Sequence, residues 1–132
     1  MEIRELSERL EKLSARYGEH LGIERDGDWF LLKLQEEVGE LTQAYLQVTG
    51  RARTKGRTAE EIRDTFQLEF ADVFCQLLLL ARHFDVDVPR EIERKWLTHE
   101  VWPFGLGLFG GDGEHYEEDY GGDDQDPGRA EA

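Results

Sequence analysis

The chain has 132 residues, with 30 Asp and Glu against 16 Lys and Arg and a formal net charge of −14. That length suits a single domain, and that charge argues against wrapping a nucleic-acid polymer, which needs a basic face to release counterions; a small anion held through a metal ion remains compatible. No stretch approaches the ~18 uninterrupted apolar residues of a membrane span, the opening Met1-Glu2-Ile3-Arg4-Glu5-Leu6 lacks the basic and apolar regions of a secretory leader, and the lone Cys75 reads as a structural thiol in a reducing compartment. The expected location is the cytoplasm, with no membrane partner.

Apolar spacing predicts four helices. The first runs from about Glu2 to His20, with Ile3, Leu6, Leu10, Leu13 and Tyr17 in heptad-like positions, and the segment Gly22 to Gly27 breaks it. The second covers about Asp28 to Thr49 and stops at Gly50, a C-terminal signal. A basic loop follows (Arg51, Arg53, Lys55, Arg57), and its cations are either solvated or reach the site of a neighbouring copy. Thr58 and Glu61 make a capping box that opens a third helix reaching about Phe84. Asp85 and Asp87 end that helix and cap a fourth, from about Pro89 to Val101. No segment alternates as a strand does.

The boundaries that follow are an all-α domain over residues 1–102 and a Gly- and acid-rich tail over 103–132, which holds nine acids and one base from Gly105 onward and is expected to be disordered. Four helices make a thin core for a monomer, and the run Leu77 to Leu80 leaves the third helix apolar on several sides. The expected architecture is therefore a four-helix bundle completed by a homodimer or homotetramer.

The chemistry-bearing residues are Glu36, Glu37 and Glu40 on the second helix and Glu69 and Asp72 on the third. At ~1.5 Å per residue, Glu40 lies roughly 15 Å before the turn and Glu69 roughly 16 Å after it; Glu37 and Asp72 pair about 5 Å further on. With the stripe Leu34, Val38, Leu41, Tyr45 facing the stripe Phe66, Phe70, Val73, Leu77, the four acids converge on one edge of an antiparallel hairpin. Gathered carboxylates require either protonation or a cation, and an all-oxygen ligand set selects magnesium or manganese. Glu36 lies further round the helix, either as a second-metal ligand, a water-orienting group or general base, or as a surface acid. Lys33 either pairs with Glu37 or contacts phosphate, and Trp29 either packs or stacks on a base. The four histidines have no ligand-like spacing.

The stretch Lys33-Leu-Gln-Glu-Glu-Val-Gly-Glu-Leu41, followed by Glu69-Phe-Ala-Asp-Val73, resembles the MazG-type all-α nucleoside triphosphate pyrophosphohydrolases, whose signature is Glu-Glu-x-x-Glu, a gap, then Glu-x-x-Asp. The resemblance covers roughly residues 28 to 97. It implies magnesium ligation by Glu37, Glu40, Glu69 and Asp72, with Glu36 completing the first motif. It further implies water attack at the α-phosphorus of a nucleotide substrate and release of pyrophosphate. Lys95 on the fourth helix would reach phosphate, but Trp96-Leu97 stands where many relatives carry an Asn and a basic residue. Two other readings stay open: hydrolysis of phosphoribosyl-ATP, and a non-catalytic helical interaction module.

Overall fold

A computed structural model describes residues 1–99; the expected tail, including Phe104, Leu106, Leu108 and Phe109, lies outside the described residues. Those residues are all-helical: α1 (Ile3–Leu21), α2 (Gly27–Val48), α3 (Ala59–His83), α4 (Val88–Lys95) and a short 3₁₀ turn, Leu97–His99. The ends follow local chemistry. The amide of Ile23 reaches the carbonyl of Gly18, and that of Gly22, at φ 65°, reaches Glu19, a glycine-closed turn that a Cβ would strain. Asp26 caps α2 through the amide of Trp29, so that helix begins at Gly27 itself and the break is shorter than expected. The capping box forms, with Thr58 and Glu61 each accepting the other's amide. Asp87 caps α4 through Arg90. That helix ends at Lys95, short of the expected Val101.

The frame is the α2–α3 hairpin. Its antiparallel register is set by Tyr45 against Phe66 near the connecting loop and by Phe30 against His83 at the far end. α1 packs against α3, and α4 packs mainly on its own following turn. The apolar residues buried among those described are Phe30, Ala44, Ile62, Leu78 and Leu79.

This set corrects the expected stripes. Val38, Tyr45, Phe70 and Leu77 are exposed, as are Leu13 and Tyr17 of α1. Each long helix is rotated from the expected setting, so that α2 presents Phe30, Leu41 and Ala44 to α3. α1 is the one long helix left to cover the hairpin, and among the described residues an apolar stripe of α2 and α3 stays exposed.

Arg25, between α1 and α2, holds the first helix in place. It donates to both oxygens of Glu11, at 2.7 and 3.2 Å, and to the Ser14 hydroxyl at 3.1 Å. Its guanidinium also lies 5.4 Å from the centre of the Phe30 ring. The hydrogen bond from Arg25 outweighs burial and holds the Glu11 carboxyl below its usual range. Glu11 therefore contributes stability above the unfolded carboxylate range, lost as pH falls through its lowered pKa. Arg25→Ala is expected to cost about 2 kcal/mol, through lost packing and an orphaned carboxylate, and to flatten the acid limb of the stability curve. Thermal unfolding across pH checks both.

Candidate metal centre

Glu37, Glu40 and Glu69 meet at mid-height of the hairpin. One carboxylate oxygen from each lies within 4.8 Å of the other two. Glu37 and Glu69 are half-buried and Glu40 exposed, so the acids sit in the seam between the helices rather than along an outer edge. The rotation of both helices accounts for this: the turn of α2 that presents Leu41 and Ala44 inward brings Glu37 in with them. In α3, Glu69 falls on the inward face between Ile62 and Gln76.

The electrostatics record crowding. Burial, then the charges of Glu40 and Asp72, push the Glu69 carboxyl above its ordinary range. Burial and Glu40 do the same to Glu37, with further upward pressure from Asp72 and Glu36 and an opposing pull from Lys33. Glu69 also keeps one oxygen, Oε2, buried with no hydrogen-bond partner among the described residues. A buried acceptor left unpaired costs about 1–3 kcal/mol. Those features fit a hard cation. Neighbouring oxygens in a magnesium shell are roughly 3 Å apart at bonds of 2.0–2.1 Å, so three oxygens already within 4.8 Å need only modest closing. Asp72, expected as a fourth ligand, is not one of the three converging acids, although its charge acts on both half-buried ones.

The remaining sequence candidates divide. Lys33 binds Glu36 at 2.9 Å, with Glu37 at 3.8 Å, so the closer partner is the i+3 acid rather than the expected i+4 acid. That bond raises the lysine pKa and keeps Glu36, whose side chain is 54% exposed, away from the three carboxylates. Trp29 is half-buried, edge-on to Phe30 at 5.1 Å. Lys95 is exposed at the end of α4, which has no extensive packing on α2 or α3, and the structure does not bring it to the acids. Arg57 is committed to α3, donating to the Glu61 carbonyl and the Thr65 hydroxyl. Burial and Asp72 raise the Cys75 pKa, which suits an inert thiol.

Sequence reasoning passed over Gln76, whose Oε1 is likewise buried without a partner. It follows Asp72 by one turn, and its position shares the azimuth of Glu69 to within ~20°. That repeat, 69–72–76, was the available signal. A concavity of about 1180 Å³ opens elsewhere, between the first turns of α1 and the α3–α4 turn.

The raised carboxyls make a pH prediction. A carboxyl with a raised folded pKa favours the folded state below its unfolded pKa, and that stability is lost as pH rises through the folded value. A cation must displace those protons. Magnesium affinity, measured by titration calorimetry, is expected to fall as pH is lowered from about 8 to about 5, with protons released on binding. An affinity indifferent to pH would place the ion away from Glu37 and Glu69.

The chain matches no family model, no curated protein and no solved structure.

Proposed function

We propose that this chain is a magnesium-dependent pyrophosphohydrolase of the MazG type, converting a nucleoside triphosphate to the monophosphate and pyrophosphate as a homo-oligomer. The observation that carries the reading is the convergence of Glu37, Glu40 and Glu69 from two helices, with a buried oxygen of Glu69 lacking a partner among the described residues. The spacing of Glu36-Glu37-x-x-Glu40 and Glu69-x-x-Asp72 adds the resemblance.

Glu37, Glu40 and Glu69 would hold the ion, with Asp72 joining directly or through a retained water. A magnesium ion held there would supply charge neutralisation for the triphosphate and make an attacking water more acidic. Lys33 and Glu36 hold each other in the free chain. A triphosphate that draws Lys33 to its oxygens frees Glu36 to accept the proton of the attacking water. Trp29, one turn before Lys33, offers a ring face to the base. The apolar surface that the three long helices leave exposed supports the oligomeric part of the reading.

Pyrophosphate release from a panel of ribo- and deoxyribonucleoside triphosphates, with phosphoribosyl-ATP included, tests the reading with and without magnesium or manganese. Release from at least one triphosphate that requires the metal is expected. Release from phosphoribosyl-ATP alone would reassign the substrate. No release, together with no calorimetric magnesium binding, would leave a helical interaction module.

A further inference from the structure

We infer that the side of the α2–α3 hairpin opposite the acids is the interface for a second copy of this chain, a face that deepens the oligomeric part of the reading above. Six apolar side chains occupy it: Leu31, Val38 and Tyr45 from α2, and Phe70, Phe74 and Leu77 from α3. Taking ~100° per residue and counting from Glu37 and Glu69 on their own helices, all six fall about 80° to 140° to one side. Glu40 and Asp72 fall about 60° to the other. The two helices carry their stripes side by side, joined by ring contacts from Tyr45 to Phe66 at 6.3 Å and from Phe66 to Phe70 at 5.0 Å.

The occupant follows from area, charge and supply. Phe70 is 54% and Phe74 45% exposed. Each of the six leaves on the order of 60–100 Å² uncovered, so a pair of copies would bury about 1,000 Å² before any rim is counted, the lower bound for a specific interface. Charge selects the partner. A chain of net charge −14 repels its own copies over most of its surface. Between Leu31 and Tyr45 on α2, and between Phe66 and Phe84 on α3, every position in this sector is uncharged (Leu31, Leu34, Val38, Thr42 and Tyr45; Phe66, Phe70, Phe74, Leu77, Ala81 and Phe84). Two copies meet here without bringing like charges together, whereas a basic partner would find nothing to pair with. Supply points the same way. A surface this apolar needs its cover throughout the life of the fold, and the molecule always present with the chain is another copy of it. An isologous pair sets the same patch against itself and leaves the acid side of each copy facing outward.

The full chain is tested by light scattering after size exclusion, and by photo-cross-linking with a benzophenone side chain in place of Phe74 or, as control, of Gln43, which is exposed on the acid side. A dimer or larger even assembly that cross-links through position 74 and not 43 is expected. Phe74→Glu is expected to raise the dimer dissociation constant by a hundredfold or more. Because that variant can unfold as it dissociates, the cross-link in the otherwise unaltered chain decides the matter. A folded monomer at micromolar concentration overturns both the face and the oligomeric reading. An oligomer that cross-links through position 43 and not 74 overturns the face alone. Calorimetric magnesium binding, read on the same samples, keeps either result separate from the metal centre.

Discussion

Glu40→Gln is expected to lower magnesium-dependent pyrophosphate release about a thousandfold while leaving the metal-free fold at least as stable as before. The two effects have one origin. Glu40 is the exposed member of the three converging acids, and its charge is the largest neighbouring influence on both Glu37 and Glu69. An amide of the same shape removes a ligand charge worth several kcal/mol of transition-state stabilisation, and each 1.36 kcal/mol is about tenfold in rate. Without metal, the same change relieves repulsion and is expected to add up to about 1 kcal/mol of stability. Steady-state assays and urea unfolding in chelator read the two halves separately. Lost turnover with a destabilised metal-free fold would make Glu40 a structural residue, and unchanged turnover would remove the ion from this seam.

Phe30→Ala is expected to be the most damaging single change to the fold, at about 3–5 kcal/mol. The ring is 2% exposed. It lies edge-to-face with Trp29, 5.0 Å from His83 and beneath the guanidinium of Arg25. It therefore joins the start of α2 to the end of α3 and, through Arg25 and Glu11, to α1. Little nearby can collapse into the cavity, because the rest of the core is small. Against a total of 5–15 kcal/mol for an ordinary domain, such a loss leaves a marginal protein. Leu32→Ala, two residues along and 68% exposed, is expected to stay within about 0.5 kcal/mol. Denaturant unfolding at one fixed protein concentration checks the pair, and a Phe30 variant within 1 kcal/mol of the parent would mean that this end of the hairpin is anchored elsewhere.

The helices were legible in the sequence because their ends are written in short-range chemistry. Thr58 with Glu61, Asp87 and Gly50 act on neighbours three or four residues away, and each does so in the structure. The heights of Glu37, Glu40 and Glu69 were legible for a similar reason, since rise per residue and a short loop set them. Rotation of each helix about its axis was not. Apolar periodicity marks a stripe that must be buried but does not say against what: Val38, Phe70 and Leu77, expected in the hairpin seam, are exposed, and Tyr45 meets Phe66 across the hairpin while remaining partly exposed. Phe30 was missed because an aromatic beside Trp29 and Leu31 carries no distinguishing pattern. Lys95 was placed by resemblance alone, and nothing in the spacing of α4 says where that helix packs.

The partnerless oxygen of Glu69 sits midway along the two longest helices. Helical hairpins ordinarily loosen from their ends, where packing is thinnest. Here the free chain also crowds carboxylates at its waist, so a brief parting of the two rods around residues 37–40 and 69–72 is an expected excursion. A divalent ion bound there would tie the rods together at that point, and amide exchange is expected to slow at the waist before it slows at the tips.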